Sequence, residues 1–440
     1  MKKKHVAIIG TAGAPAKYGG FEILAGHLIT GLQSRFEMSV YCSAKKYPKE
    51  SRIKNYNGAR LFYLPFKATG IQSIFYNCFS ILHALFYADV LLVLGVSGGF
   101  MLPFVRLFTN KKIVTAINGI EWKRGERSRL AGLYLWMAEW MAVKYSHANV
   151  SDNEAIKDYT AIRYKTLSTM IECGADHAVK ESPTPQDLVR YPFLRKPYAF
   201  AVADIEPENN IHLILDAFSR LPLQTLVLTG NWGRHKYGLQ LRKKYAACLN
   251  IHMMDPVSNP RELDVLRGNC FVYLHGHSAG GTHPYLVEAM YLGLPVIAYG
   301  VSYNRATTEG RAFYFRSAED IVHLLNTRRM PQYRQTGADM QAIAYRRYTW
   351  KNVAARYAGL LDNVVSTAPR QYPVPQMTAH VPYGRLLFIV LTCISIYALP
   401  LVQVIALQVI AVAVFTRVRV LKLNYDFQRW NRFVKQRETL

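Results

Sequence analysis

Short apolar runs alternate with helical patterns along most of the chain. In the first half, the runs that predict strands are 6–9, 38–42, 60–64, 90–94 and 113–117. The pattern restarts after Pro197, where the predicted strands are 198–203, 224–229, 251–254, 271–274 and 295–299. Strands that alternate with helices predict parallel sheets covered on both faces. The predicted fold class is therefore α/β, with two Rossmann-like doubly wound domains and a cleft between them.

The predicted domain boundaries follow from this repetition. Two domains, 1–187 and 188–345, are divided near the proline-bearing stretch 181–197. A closing helix, a proline-containing linker, a hydrophobic segment and a basic tail follow at 346–368, 369–385, 386–415 and 416–440. Ligands of doubly wound sheets bind at the carboxyl ends of the strands, so the loops there are the places to seek chemistry.

The hydrophobic segment 386–415 has no charged side chain and is interrupted once, by Pro400. A straight helix of that length would be about 45 Å long, against roughly 30 Å of bilayer hydrocarbon. The tail 416–440 carries a net charge of +5, and basic flanks prefer the cytoplasmic side. We therefore expect a membrane-associated helical hairpin that returns the tail to that side. A tilted single span and a buried helix pair with a solvated tail remain alternatives.

Composition narrows the class of protein. The 440 residues include 54 Lys and Arg against 29 Asp and Glu, a formal net charge of +25, and half of the residues are apolar. This apolar fraction excludes a disordered chain, and a single long uncharged run excludes a polytopic membrane protein. The charge favours an anionic partner. No nucleic acid is expected, because the basic residues are dispersed and no recognition motif is present.

Two further sequence patterns indicate the cellular compartment of the protein. The six cysteines are scattered without a C-x-x-C pair, which predicts neither a disulfide framework nor a zinc site and suits a reducing cytoplasm. The N-terminal apolar run 6–9 is too short for the apolar core of a signal peptide, so no export signal is predicted.

Two glycine loops each follow a strand and open a helix. The first contains Gly10, Gly13, Gly19 and Gly20. Backbone amides at a helix N-terminus form an anion site, and missing side chains let a phosphate approach. The loop is neither G-x-G-x-x-G nor a Walker loop, so a tight turn without a ligand is the alternative.

The second loop, within 275–290, has Pro284 at the first helical position, where proline is favoured. Glu288 lies about one turn into the helix, where its carboxylate could accept hydrogen bonds from the vicinal hydroxyls of a sugar. The alternative is that Glu288 only interacts with the positive end of its own helix.

Three histidines, His275, His277 and His283, lie in the second loop. No nearby Cys or Asp completes a ligand set, so no metal is predicted. His277 is interpreted as a polar contact to phosphate or sugar, with a hydrogen-bonded structural histidine as the alternative. No Asp-x-Asp motif occurs that would bridge a diphosphate through a metal.

A third polar cluster follows the predicted strand 113–117. Asn118, Glu121, Trp122 and Arg124 combine an amide, a carboxylate, an indole and a cation, groups that suit carbohydrate recognition. An ordinary helix start with solvated charges is the alternative.

Four stretches, 14–22, 118–124, 205–210 and 275–290, together resemble bacterial family-4 GT-B glycosyltransferases. Within that class the chain is most similar to the capsule and exopolysaccharide β-1,4-rhamnosyltransferases. The resemblance covers residues 5–365 and not the hydrophobic segment or the tail.

The resemblance implies a nucleotide-sugar donor, dTDP-rhamnose, bound mainly by the second domain. It implies a lipid-diphosphate-linked saccharide acceptor bound mainly by the first domain, in surface polysaccharide biosynthesis. Transfer would be retaining and metal-independent, without a cofactor. With residues 386–440 on an anionic membrane surface, the expected location is the cytoplasmic face of the bacterial inner membrane.

The resemblance and the chemistry of the polar clusters together give expected roles for individual residues. The expected catalytic residues are Asn118, Glu121 and His277. The expected donor-binding residues are Gly19, Gly20, Ser278, Gly280, Gly281, Thr282, Glu288 and Arg305. The expected acceptor-binding residues are Tyr18, Trp122 and Arg124.

The chain departs from the family pattern at three positions. Asp204 stands where relatives have an arginine that clamps the diphosphate, Gly280 where they have a second acid, and Asn118 where they commonly have Asp. The glycine loop or Arg305 would supply the missing stabilisation. The alternative function is a catalytically impaired glycosyltransferase-like scaffold of a polysaccharide assembly complex.

Overall fold

The structure is a computed structural model that describes residues 3–15, 20–117, 122, 129–278 and 281–366. The chain divides into two units, 1–366 and 367–440, and the first is described here. The predicted linker, hydrophobic segment and basic tail lie outside the described residues. Among the residues described, no helix combines the length and the apolarity needed to cross a bilayer.

The first sheet has eight strands in the order β3-β4-β2-β1-β5-β6-β7-β8, all parallel except β3, which pairs antiparallel with β4. Its strands are β1 Lys4–Ile9, β2 Phe36–Ser43, β3 Asn55–Tyr56, β4 Ala59–Leu64, β5 Val90–Leu94, β6 Lys112–Ile117, β7 Ala148–Ser151 and β8 Thr169–Met170. Its helices are α1 Gly20–Leu32, α2 Gln72–Ala84, α3 Leu102–Phe108, α4 Arg129–Tyr145 and α5 Glu154–Tyr164. Central strand β1 places Val6 beside Met38 of β2 and Val90 of β5.

A short helix, α6 Pro185–Arg190, precedes the second sheet, whose six strands are all parallel in the order β11-β10-β9-β12-β13-β14. Its strands are β9 Tyr198–Val202, β10 Thr225–Thr229, β11 Ile251–Met254, β12 Val272–His275, β13 Val296–Tyr299 and β14 Phe313–Phe315. The helices that follow are α7 Ile211–Ser219, α8 Lys236–Lys244, α9 Pro260–Gly268, α10 Pro284–Tyr291, α11 Ser302–Thr307, α12 Ala318–Thr327, α13 Met330–Arg347 and α14 Trp350–Ser366.

The last described helix, α14, crosses back to the first domain. Val353, Tyr357 and Leu361 are buried in the same apolar core as Leu28 and Leu32 of α1. The backbone N–H of Trp350, at the start of α14, donates to Oδ1 of Asp176 at 2.7 Å. Because this helix is covalently attached to the second domain and packed on the first, it ties the two together.

The predicted α/β class with two parallel-sheet domains is confirmed. Strands β3, β7, β8 and β14 were not predicted: β3, β8 and β14 have only two or three residues, too few to form an apolar run, and two of the four residues of β7 are polar. In β7, the polar residues Asn149 and Ser151 are buried through hydrogen bonds: Nδ2 of Asn149 donates to the carbonyl of Val143 at 3.0 Å, and the hydroxyls of Ser151 and Ser168 are 2.9 Å apart. Because these residues are polar, the hydrophobic pattern of the sequence does not reveal β7.

Candidate functional site

The two glycine loops meet between the sheets. The first loop leaves β1 at Ile9 and enters α1 at Gly20, and the second leaves β12 at His275 and enters α10 at Pro284. A Cβ atom built on Gly20 would lie 3.8 Å from Cγ of Pro284. The N-termini of two helices therefore approach each other from different domains, as expected for a ligand held between the domains.

Side chains of the first domain hold the first loop closed. The backbone N–H of Ala12 donates to Oε1 of Glu22, in the first turn of α1, at 2.9 Å. Nζ of Lys46 lies 3.6 Å from the same oxygen. The hydroxyl of Tyr76, on α2, donates to the carbonyl of Thr11 at 2.8 Å. These contacts shape the loop from within its own domain.

The second loop is anchored on the loop that follows β9. A Cβ on Gly276 would lie 2.0 Å from the carbonyl oxygen of Asn209, so only glycine permits this approach. The backbone N–H and the hydroxyl of Ser278 both donate to the carbonyl of Glu208, at 2.9 and 2.8 Å. Ser278, expected to bind the donor, thus uses its hydroxyl to join two loops. Its contact with a donor stays a prediction.

His277 lies where three loops converge. Its Nδ1 N–H donates to Oδ1 of Asn209 at 2.7 Å. Nδ2 of Asn304, on α11, donates to the carbonyl of His277 at 2.9 Å. These two hydrogen bonds fix the position of His277, and its expected polar contact to phosphate or sugar stays a prediction.

The three histidines of the second loop form a ring cluster. The ring centroids of His277 and His283 are 4.7 Å apart, and those of His275 and His283 are 5.3 Å apart. Burial, with a contribution from His277, lowers the pKa of His275 well below its usual range, so that ring is neutral. Within the part of the chain that the structure describes, no three His, Cys, Asp or Glu side chains are grouped to hold a metal ion.

Residues at the carboxyl end of β7, which the sequence pattern did not reveal, join the first domain to the second glycine loop. The hydroxyl of Thr282 donates to the carbonyl of Asp152 at 2.9 Å, and Nδ2 of Asn153 donates to the hydroxyl of Thr282 at 3.2 Å. A Cβ on Gly281 would lie 2.3 Å from Oδ1 of Asp152. Gly281 and Thr282 therefore form an interdomain contact. In the sequence, the feature that could have indicated these residues is the polar run 151–154, which precedes a helix.

Glu288 is buried and ion-paired. One carboxylate oxygen pairs with the guanidinium of Arg267, at the end of α9, and the other lies 3.1 Å from Nε2 of His177. Arg267 also bonds Asp264 at 2.7 Å. Burial alone would raise the pKa of Glu288, but Arg267 and then His177 bring it below its usual value. The expected ribose contact of this carboxylate stays a prediction, since its oxygens are bonded within the protein and only 3% of the residue is exposed.

The pairing of Glu288 continues across the domain boundary. Trp350 Nε1, which can only donate, donates to Nδ1 of His177 at 3.0 Å, so His177 carries its proton on Nε2 and donates it to Glu288. The indole of Trp350 stacks on the imidazole of His27, with ring centroids 4.1 Å apart and an interplanar angle of 8°. His27 belongs to α1, the helix that the first glycine loop opens. A continuous set of contacts thus joins α10 to α1.

Replacing His27 with phenylalanine should make the protein less sensitive to mild acid. Burial, and then His177, lower the pKa of His27 to about 4. In the unfolded chain this histidine has a pKa near 6.5. Between that pH and the lower pKa of the folded state, the unfolded chain binds a proton that the folded chain does not. The stability of the fold therefore decreases as the pH is lowered through this range. The full shift would cost the wild type about 2 kcal/mol between about pH 7 and pH 5. Because the ring of His27 is only half-buried, we expect a loss of about 1 kcal/mol through this residue, and a smaller loss in His27→Phe.

The thermal midpoint at the two pH values measures this effect. Phenylalanine keeps an aromatic ring against Trp350, so the stacking is preserved. His323→Phe, at an exposed histidine of α12, is the matched control and should keep the wild-type pH dependence. An unchanged pH dependence in His27→Phe would remove His27 from this role.

An arginine and a histidine near the loop after β9 come from a segment in which the sequence pattern predicted no site residue. Nη1 of Arg234, in the loop after β10, lies 3.8 Å from Asp204 and 3.7 Å from Glu206, and Nε2 of His235 lies 3.4 Å from Glu206. Arg305, which the sequence offered as a substitute cation, lies with its guanidinium 4.1 Å from the ring centroid of Tyr314. The cation Arg234 and the imidazole of His235 therefore lie beside Asp204, and the sequence pattern did not reveal them.

Of the predicted polar cluster after β6, the structure describes Trp122. Its Nε1 donates to the hydroxyl of Tyr159 at 3.1 Å, and the guanidinium of Arg163 lies 5.0 Å from the ring. The other expected residues that lie outside the described part of the chain are Tyr18, Gly19, Asn118, Glu121, Arg124 and Gly280. Their expected roles stay predictions.

Comparison with known proteins adds to this geometry. Residues 190–324 match the family model described as glycosyl transferases group 1, and residues 3–176 match a domain of unknown function, DUF1972. None of the curated proteins matches the chain.

Several solved structures share the fold. Sucrose-phosphate synthase from Thermosynechococcus elongatus is 16% identical with a TM-score of 0.69, over 83% of this chain and 100% of that one. HepE from Anabaena in complex with UDP is 15% identical with a TM-score of 0.61, over 82% and 100%. The catalytic domain of starch synthase IV from Arabidopsis thaliana, bound to ADP and acarbose, is 12% identical with a TM-score of 0.63, over 83% and 100%.

At these identities the structural similarity establishes the fold, which is the two-domain GT-B arrangement. The second domain, over residues 190–324, is similar to the glycosyl transferases group 1 family. The fold and this match together make the GT-B glycosyltransferases the class of protein that the chain resembles. The identity of the sugar and of the acceptor stays a prediction.

Proposed function

We propose that this protein transfers rhamnose from dTDP-rhamnose to a lipid-diphosphate-linked saccharide during surface polysaccharide synthesis. The reaction would retain the anomeric configuration and need no metal, and it would take place at the cytoplasmic face of the bacterial inner membrane. The observation that carries the proposal is the second glycine loop, which opens α10 in the group 1 domain and meets the first domain at Asp152.

The chemistry follows from what such a loop can stabilise. Sugar transfer with a diphosphate leaving group requires negative charge to be stabilised where it develops, rather than a strong base. Backbone amides and the positive end of α10 can provide this without reorganising. Arg234 and His235 are held near the loop after β9, and a donor diphosphate would compete with Asp204 and Glu206 for them. The acceptor saccharide would enter from the first-domain side, near Trp122.

A thermal-shift screen with dTDP-, UDP- and GDP-linked sugars tests the proposal. A ligand that binds only the folded state stabilises it by about 2.7 kcal/mol when present at about a hundred times its Kd. We expect dTDP-rhamnose to raise the thermal midpoint by several degrees, and the free sugar to leave it unchanged. Transfer to a lipid-linked acceptor would then be followed directly. Stabilisation by UDP- or GDP-sugars instead would contradict the proposed donor.

The second candidate is a catalytically impaired scaffold, and Asp204 is the observation that favours it. An acid where relatives have a diphosphate-clamping arginine should weaken donor binding. If no nucleotide sugar stabilises the protein and calorimetry detects no binding to any of them, the scaffold is favoured over the enzyme.

A further inference from the structure

Helix α2 places its large apolar side chains on the side that faces away from the sheet. Residues exposed along one face of this helix and its ends are Ile71, Phe75, Phe79, Leu82 and Phe86. Their spacing of three to four positions makes a continuous stripe. The buried face carries Tyr76, Asn77, Ser80, Ile81 and Ala84, so the helix is apolar on both faces. A surface helix normally presents polar residues to solvent, so the exposed stripe calls for a partner.

Helix α3 extends this surface. Phe104, Leu107 and Phe108 are exposed on it. The connections from β4 through α2 to β5, and from β5 through α3 to β6, both run in the same direction across the sheet. Right-handed crossovers therefore place both helices on the same side of the sheet. We call the exposed residues of these two helices the α2–α3 face.

The segment that carries the α2–α3 face is basic. Residues 65–117, from the end of β4 to the end of β6, contain four Lys and Arg and a single acid, Asp89. Arg106 lies in the last turn of α3, and its charge contributes to lowering the pKa of Lys112, after burial, so the two cations are close together. Neither α2 nor α3 contains an acid. Apolar and aromatic residues flanked by cations, without acids, are the composition of helices that lie in an anionic membrane interface.

The α2–α3 face also begins beside the candidate site. Tyr76 of α2, whose neighbour Phe75 is in the stripe, donates its hydroxyl to Thr11 in the first glycine loop. The N-terminus of α2 follows β4, so it lies at the same carboxyl edge of the sheet as that loop. A bilayer against the stripe would therefore lie near the first-domain side of the cleft.

We propose that the α2–α3 face docks on an anionic lipid bilayer. This docking surface adds to the proposed function. It rests on the proposed function in one respect, which is that a lipid-linked acceptor would reach the first domain from the bilayer. A protein partner is less suited, because the face offers few polar groups to specify one and its charge is of one sign. The docking is separate from the predicted membrane association of 386–440.

Hydrogen exchange of the full chain, with and without vesicles, tests the docking locally. Vesicles of phosphatidylethanolamine and phosphatidylglycerol should slow exchange in peptides 71–86 and 102–108 by about threefold or more, and phosphatidylcholine vesicles should not. If the protein sediments with the anionic vesicles while exchange in these peptides stays unchanged, the proposal is wrong. It is also wrong if the same peptides become protected on raising the protein concentration without lipid, since a second copy would then cover the face.

A matched pair of double variants tests the side chains. Phe75→Ser with Phe79→Ser removes the centre of the stripe, at positions 54% and 48% exposed, so the fold should tolerate it. We expect this variant to lose the lipid-dependent protection. Leu223→Ser with Leu249→Ser changes two exposed apolar residues of the second domain and should keep it. Protection that persists in the phenylalanine variant would overturn the proposal.

These measurements separate the lipid surface from the sugar transfer. The thermal shift with nucleotide sugars reports on the donor site of the second domain, which the phenylalanine variant leaves intact. Loss of lipid protection with an intact donor response supports the docking surface. An absent lipid response with an intact donor response overturns the docking surface and leaves the glycosyltransferase proposal standing.

Discussion

Arg267→Met should destabilise the protein by about 3–5 kcal/mol, the cost of leaving a buried carboxylate without its partner. Arg267 is 2% exposed and pairs with both Glu288 and Asp264. Burial alone would lower its pKa, but those carboxylates hold it above the usual value, so the arginine remains charged. Without the guanidinium, Glu288 keeps only His177. Denaturant unfolding at neutral pH measures the loss.

Two further variants define the cause. Arg267→Met combined with Glu288→Gln should recover part of the lost stability, because no unpaired carboxylate remains at 288. Arg220→Met, at an exposed arginine that pairs with Asp216 and Glu319, should change stability little. Equal losses in the single and double variants would show that packing of Arg267, rather than its charge, holds this region together.

Gly281→Ala should reduce donor affinity and transfer by about tenfold or more. The added Cβ would lie 2.3 Å from Oδ1 of Asp152, which no real contact permits, so the second glycine loop must move away from the first domain. Overpacking of this kind costs about 1–3 kcal/mol, and about 1.4 kcal/mol corresponds to a factor of ten in an equilibrium constant. Calorimetry with the stabilising nucleotide sugar and a transfer assay measure the effect.

The control is Gly26→Ala, on α1, where an added Cβ meets nothing within 4 Å. It should keep wild-type affinity, and alanine is also the better helix former. Asp152→Gly in the Gly281→Ala background removes the clashing carboxylate and should restore part of the affinity. Full affinity in Gly281→Ala alone would mean that the two domains need not approach this closely when the donor binds.

Much of the fold was predictable from local pattern. Strand β5 was predicted at its observed bounds, Val90–Leu94, because five consecutive apolar residues between turn signals are typical of a buried strand and too few for a helix. Helix α10 was predicted from Pro284 onward, because proline at the first helical turn marks a helix start. Strand β14 was missed, since its three residues, Phe313–Phe315, are too few to show a period.

The candidate site was predictable only in part. Glycines after a strand and before a helix mark a loop with exposed amides, and that inference needs nothing beyond neighbouring residues. The partners of those loops are distant in sequence. Thr282 bonds to Asp152, and Glu288 bonds to His177 and Arg267. A periodic pattern among neighbouring residues cannot reveal a contact between residues that are this far apart in the sequence.

The amino-acid sequence sufficed for the longer strands, the two glycine loops and the excess of positive charge, because each depends on neighbouring residues or on composition. The folded arrangement was needed to show that Glu288 is neutralised within the protein and that β7 contributes the interdomain contact. It was also needed for α2, whose apolar stripe has the same period whether it faces a core or solvent. Which face of a helix is buried is set by the sheet beneath it, and here the sheet packs against Tyr76 and Ile81 and leaves Phe75 and Phe79 exposed.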